Sequence, residues 1–318
     1  MKIAKQSKIY IAGHKGMVGS AIWRCLEEEG YTNLIGKSSK ALDLRQQSEV
    51  YRFFDDEQIE VVIDAAARVG GILANNTYPY QFLMENMQIQ NNLIDGALSH
   101  GIEKFIFLGS SCIYPKHASQ PLIEEALLTA PLEPTNEWYA IAKISGVKAC
   151  EAIRKQFDKD YVSLMPTNLY GSHDNFDLET SHVLPAMIRK FHEAKLNNHA
   201  PVKLWGTGTP MREFLYVDDL AKAVVFALEN QLPEHLYNVG TGKDITIKEL
   251  AETIQRIVGH QGTIVWDSTK PDGTPRKLMD VSKLKGLGWQ YQTELKDGVK
   301  QTYQWFLEHQ DSFKEVKI

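Results

Sequence analysis

The chain has 318 residues, 43% of them hydrophobic and 24% charged, which is ample for a large buried core and unlike a disordered or fibrous protein. A net charge of -5 offers no general attraction to nucleic acid or anionic membranes, so an anionic ligand would need a local basic patch. Three cysteines, Cys25, Cys112 and Cys150, are odd in number and lack metal-type spacing, which argues against a disulfide framework or a metal site. With no secretory pattern at the polar start and no apolar run of membrane-spanning length, a cytoplasmic protein is expected.

Residues 8–12 read as a buried strand that runs into Gly13-His14-Lys15-Gly16-Met17-Val18-Gly19, after which apolar residues recur at helical spacing. Strand, glycine turn and helix together suit a pyrophosphate, because glycines permit close backbone approach and the helix start offers free N-H donors. Gly13, Gly16 and Gly19, with the intervening Lys15, Met17 and Val18, are therefore candidate cofactor residues. After the second strand, where an NAD enzyme usually places an acid for the ribose, stand Lys37 and Lys40. With Lys15 they could surround a 2'-phosphate, which favours NADP over NAD; otherwise they are solvated loop charges.

Further strands are expected at 61–64, 104–108 and 161–165, with helices near 46–57, 78–99 and 137–157 between them. Alternation of this kind predicts an α/β fold with a Rossmann-type, doubly wound parallel sheet, whose ligands lie beyond the carboxyl ends of the strands. Beyond 172 the alternation lapses, a helix follows near 182–197, and 218–230 reads as a well-capped amphipathic helix. The apolar run 236–240 is expected to re-enter the main sheet, while a helix near 246–258 and the segment 280–289 complete a smaller lobe. The division is thus residues 1–171 with about 215–242 for the dinucleotide, and about 172–214 with 243–318 mainly for substrate.

Tyr139 and Lys143 lie one helical turn apart, on one face of the 137–157 helix. An ammonium beside a phenol favours the phenolate, bringing the tyrosine toward working pH as a proton donor or acceptor. Ser110, following the fourth strand, could polarise a carbonyl beside Tyr139, or simply serve the turn. By themselves Cys112 reads as a small buried residue and His182 as a helix-cap or surface histidine.

Taken together, the glycine turn, Ser110 and Tyr139-x-x-x-Lys143 resemble the extended short-chain dehydrogenase/reductase family in order and position. The runs Val69-Gly70-Gly71-Ile72, Gly109-Ser110-Ser111-Cys112-Ile113-Tyr114-Pro115, Met165-Pro166-Thr167-Asn168-Leu169-Tyr170-Gly171 and Trp205-Gly206-Thr207-Gly208-Thr209-Pro210-Met211-Arg212-Glu213-Phe214 are similar to those of the GDP-L-fucose synthases within it. The likeness spans essentially the whole chain. It implies epimerisation of GDP-4-keto-6-deoxy-D-mannose at C3 and C5, then reduction of the C4 ketone with NADPH. It further implies Cys112 as base and His182 as acid for epimerisation, with Ser110 and Tyr139 at the C4 oxygen and Lys143 on the nicotinamide ribose. Pro166, Thr167, Asn168, Leu169 and His182 would flank the cofactor, and Lys190, Trp205, Arg212 and Asp272 would hold the substrate. For Asp272 a turn role in Pro271-Asp272-Gly273 competes. Lys15, Ser39 beside Lys40, and Lys190 stand where relatives often carry arginine, keeping charge but not bidentate geometry. The two long apolar helices near 78–99 and 137–157 have more hydrophobic surface than one sheet face needs, and the resemblance implies that they build a two-fold four-helix interface in a homodimer. The rivals are another nucleotide-sugar epimerase, reductase or 4,6-dehydratase, and a non-catalytic dinucleotide sensor, which would be expected to lack Tyr139 or Lys143.

Overall fold

The computed structural model describes residues 3–178, 180–270 and 272–310, so Pro271 lies outside the described residues. The chain opens with β1 (Ile9–Ala12), α1 (Met17–Glu28), β2 (Leu34–Ile35), α2 (Gln47–Glu57) and β3 (Val61–Asp64). It continues through α3 (Ile72–Thr77), α4 (Pro79–Ser99), β4 (Lys104–Leu108), α5 (Glu137–Phe157), β5 (Asp160–Pro166) and β6 (Asn168–Tyr170). Then come α6 (Val183–Leu196), β7 (Val202–Trp205), β8 (Met211–Tyr216), α7 (Val217–Glu229), β9 (Leu236–Val239) and β10 (Asp244–Thr246). The last elements are α8 (Ile247–Val258), β11 (Ile264–Asp267), β12 (Arg276–Lys277), α9 (Ser282–Gly286) and α10 (Leu295–Glu308).

Six parallel strands form the main sheet in the order β2-β1-β3-β4-β5-β9. Strands β3 and β4 are buried along their whole length, as expected where helices cover both faces. Alternate residues feed two cores. Ile9, Ile11, Val61, Ile63 and Ile106 pack with α1 and α7, while Tyr10, Ala12, Val62, Phe105 and Phe107 pack with α2, α4 and α5. The strand order reverses between β1 and β3, which opens a crevice at their carboxyl ends. The expected return of the chain to this sheet occurs as β9, paired parallel to β5.

A second sheet is built around β8, with β10 antiparallel to it and β6 and β12 parallel. Together with α6, α8 and α10 it surrounds a third core containing Phe191, Leu250, Ile254 and Phe306. Buried Glu213 ties this sheet to the rest: its carboxylate accepts N-H groups from Thr241 at 2.6 Å, Gly242 at 2.8 Å and Met279 at 2.9 Å.

Two expectations need correction. Helix α7 has no side-chain cap; Asp218 pairs with Arg24, and fully buried Asp219 accepts the backbone N-H groups of Gln292 and Thr293. Both acids of its first turn are thus engaged by long-range partners rather than by the helix start. Leu284 and Trp289 enter the core of the main sheet rather than that of the lobe, so much of 280–289 belongs with the larger unit.

Candidate active site

At the reversal point the backbone is tight. Gly13 adopts φ 78°, and a Cβ there would meet the Ala65 carbonyl oxygen at 2.6 Å. A Cβ on Gly19 would meet the Gly13 oxygen at 2.2 Å, so the start of α1 packs directly onto the turn. Gly16 caps α1 without any side-chain hydrogen bond, leaving the first N-H groups for an anion. This is a cradle that suits a dinucleotide pyrophosphate. Lys37 is engaged with Glu57 at 3.1 Å and lies 5.7 Å from the Phe53 ring centre, so it would have to exchange that carboxylate for a phosphate. Thr167 and Asn168, at the end of β5 and start of β6, both donate to the Glu213 carbonyl, at 3.3 and 2.8 Å.

Beyond β4 the chain makes a 3-10 turn, Ser111–Ile113, whose cap is Ser110; the Ser110 hydroxyl accepts the Cys112 N-H at 3.4 Å. The turn buries Cys112 to 7% exposure and places it against α5. From α5, Lys143 donates to the Leu108 carbonyl at 2.9 Å, and its ammonium lies 4.8 Å from the Phe107 ring centre and 5.9 Å from that of Tyr139. Phe82 of α4 meets Tyr139 edge-on at 6.3 Å and fixes the ring from the other side.

Electrostatics link these groups. Burial pushes the Cys112 thiol up, while Lys277, the Ser110 hydroxyl and Lys143 pull it back down. Tyr139 is raised well above its ordinary value by burial, then by the charges of Cys112 and Asp64. The expectation of a phenol drawn down by Lys143 is therefore corrected: burial is the largest influence, and the charges of Cys112 and Asp64 act in the same upward direction. A raised phenol remains protonated at neutral pH, which suits a proton donor. Lys143 is lowered by burial, with Asp64 and Cys112 opposing.

His182 stands at the N-cap of α6 with an extended backbone, and makes no capping hydrogen bond. Although the residue as a whole is exposed, burial of the imidazole and then Lys277 hold its pKa below the usual value. The segment before it is positioned by Gly71, whose N-H donates to the Thr180 carbonyl at 3.3 Å.

The substrate candidates divide. Arg212 on β8 is paired in register with Lys277 on β12, and burial lowers its pKa while Asp272 raises it. Asp272 accepts both the N-H and the hydroxyl of Thr207, at 2.7 and 2.8 Å, so in this state it staples the turn after Trp205. Trp205 is 58% exposed, with the Lys270 ammonium 5.4 Å from its ring centre. Lys190 is half-buried and lowered by burial alone.

Sequence reasoning passed over Lys277 and Asp64. The charge of Lys277 acts on both Cys112 and His182, and the residue stands four positions after Gly273 of the Pro271-Asp272-Gly273 stretch, with no role assigned to it from sequence. Asp64 ends a run of apolar residues and reads from sequence as a strand terminus. Among the described residues, no cluster of His, Cys, Asp or Glu could hold a metal ion, and no helix is long and apolar enough to cross a membrane.

Comparisons with known proteins agree with this geometry. The model of the NAD dependent epimerase/dehydratase family matches residues 9–240. A putative GDP-L-fucose synthase 2 of Arabidopsis thaliana is 59% identical over 307 residues, covering 96% of this chain and 94% of the relative. The GDP-L-fucose synthase of Escherichia coli (strain K12) is 53% identical, covering 97% and 99% respectively. The crystal structure of a GDP-L-fucose synthetase from Naegleria fowleri bound to NADP superposes with a TM-score of 0.90 at 28% identity, covering 98% of this chain and 97% of that one. The chain belongs to the NAD dependent epimerase/dehydratase family and, within it, to the GDP-L-fucose synthases.

Proposed function

We propose that this cleft converts GDP-4-keto-6-deoxy-D-mannose to GDP-L-fucose, by epimerisation at C3 and C5 and then NADPH-dependent reduction of the C4 ketone. The observation that carries the reading is one electrostatically linked cluster containing Cys112, Tyr139, Lys143 and Lys277, with His182 facing the same Lys277. Both C3 and C5 protons lie alpha to the ketone, so their removal requires a base, a stabilised enolate and an acid on the far face. Cys112 is the base. Burial pushes the thiol up, so the thiolate that takes the proton depends on the stabilisation that Lys277, Ser110 and Lys143 supply. His182 returns the proton, and the Ser110 and Tyr139 hydroxyls bind the developing C4 oxyanion.

NADPH, when bound, supplies the hydride to C4. Gly13, Gly16 and Gly19, with the N-H groups of Met17 and Val18, would hold its pyrophosphate, and Lys15, Lys37 and Lys40 its 2'-phosphate. Pro166, Thr167, Asn168 and Leu169 would form the wall beside the nicotinamide, with Lys143 at the ribose. Tyr139 gives its proton to the C4 oxygen. Arg212, Lys277 and Lys190 supply cations for the substrate diphosphate, Trp205 a packing surface and Asp272 the turn beneath it.

Residues 1–171 with about 215–242, joined by much of 280–289, would act as the dinucleotide unit and the remainder mainly as the substrate lobe. The chain would work in the cytoplasm as a homodimer. Incubating wild type, Tyr139→Phe and Cys112→Ser with substrate, NADPH and deuterium oxide tests the assignments by NMR. Tyr139→Phe is expected to exchange deuterium at C3 and C5 but to lose reduction by 100-fold or more, in the range on the order of 10²–10⁴ for a general acid. Cys112→Ser is expected to lose exchange; exchange at the wild-type rate would overturn its role.

A further inference from the structure

The last residue of β3, Asp64, is a carboxylate with 0% exposure in a layer built mostly from apolar side chains, with buried Ser163 on β5 as a neutral polar member of the same row. Its register partners are Ala12 on β1 and Phe107 on β4, and both point into the core beneath α5. One carboxylate oxygen accepts the Ala66 N-H at 3.1 Å, whereas the other, also buried, has no hydrogen-bond partner. Lys143 meets the same row from above, with its ammonium 4.8 Å from the Phe107 ring centre and bonded to the carbonyl of Leu108, the next residue along. The strand spacing of ~5 Å sets Asp64 one strand away from the Phe107 that Lys143 overlies, so the two charges act on each other through the layer without a direct ion pair.

We propose that Asp64 is a positioning residue for the reduction, the buried counter-charge that keeps Lys143 protonated and Tyr139 a proton donor. Without it, the burial that lowers the lysine would be opposed mainly by Cys112, itself a weak acid in this setting. The same negative charge raises Tyr139, so both members of the pair respond in one direction. The other titratable groups that sense Asp64 are Tyr10 on β1 and Cys150 on α5, and both are pushed far up by burial and stay neutral at working pH. Asp64 and Lys143 are therefore the charged members of this buried layer. A carboxylate held out of water with half its hydrogen-bonding capacity unused is costly, and groups of this kind concentrate where chemistry needs them.

The proposal rests on Tyr139 and Lys143 performing the reduction, and its test separates the two ideas. In the NADPH-dependent reaction, Asp64→Asn and Asp64→Leu should each move the alkaline limb of kcat/KM down by about one pH unit, the low end for a single charge partner. The Lys143 titration, followed by NMR in protein labelled at lysine Cε and assigned by the loss of its signal in Lys143→Met, should move down with it. Circular dichroism checks that both variants are folded, and the Leu variant separates charge from shape. A Lys143 titration unchanged in both variants, or a limb that stays in place while the titration moves, overturns the role of Asp64. Reduction that survives Tyr139→Phe overturns instead the reading beneath it, and the Lys143 titration then decides alone whether Asp64 is its counter-charge.

Discussion

At the scale of single residues the site is a balance between burial and charge, and Asp64 shows the balance most directly. Its pKa is raised to about 6, burial being the largest cause, with Lys143 and the Ala66 N-H opposing. The unfolded chain would ionise it near ~3.9. An acid whose folded pKa is raised destabilises the fold once ionised: the cost is absent below the unfolded value, grows between about 4 and 6, and stays constant above. A shift of about two units corresponds to about 3 kcal/mol at neutral pH. Asp64→Asn is therefore expected to raise the melting temperature by a few degrees at pH 7.5 and to leave it nearly unchanged at pH 4, as read by calorimetry at both pH values. A lower melting temperature at pH 7.5 would show that the carboxylate is instead a net structural asset. Gain of stability with a displaced pH profile is the expected pattern for a residue retained for chemistry.

The elements of the molecule were legible where sequence patterns are local. The glycine turn, the apolar strands at 61–64 and 104–108, and helices α2, α4, α5 and α8 follow from periodicity, and α8 begins at a capping box in which Thr246 and Glu249 bond each other's backbone N-H groups. Thr246→Ala removes one acceptor from that box and is expected to cost about 1 kcal/mol, measured by urea denaturation. Because α8 packs on α6 and α10 rather than on the nucleotide turn, NADPH affinity should be unaffected. What sequence did not disclose was long-range. The helix at 218–230 read as well capped, yet it has no side-chain cap and its Asp219 serves the backbone at Gln292 and Thr293. Lys277 became a site residue only when β12 paired with β8 beside Arg212. The identities of Cys112 and His182 as a base and an acid came from family resemblance, since neither spacing nor periodicity separates a reactive thiol from a packed one. Tyr139 went the other way: its spacing to Lys143 was readable, but the sign of its shift depends on burial by α4 and the Cys112 turn.

At the scale of the whole molecule, α4 and α5 carry both the catalytic pair and an unusual surface. The two helices pack closely on each other, and their inner faces cover the sheet with Leu93, Ile94, Ile144 and Val147. Their outer faces leave Tyr80 at 69%, Trp138 at 43% and Ile141 at 37% exposure. Large exposed apolar groups on neighbouring helices suit the proposed homodimer, since self-association around a two-fold axis is the commonest way to cover them. Trp138 and Ile141 flank Tyr139 in sequence, so a partner docked here would also restrain the start of α5 and the donor it carries. Ile141→Arg places a charge in the centre of that surface without touching the buried face of the helix. Sedimentation equilibrium is expected to give a dimer for the wild-type protein and a monomer for the variant, with reduction slowed several-fold because the Tyr139 turn loses its support. A variant that sediments as the wild type would place the interface elsewhere; a fully active monomer would show that the catalytic helix needs no partner.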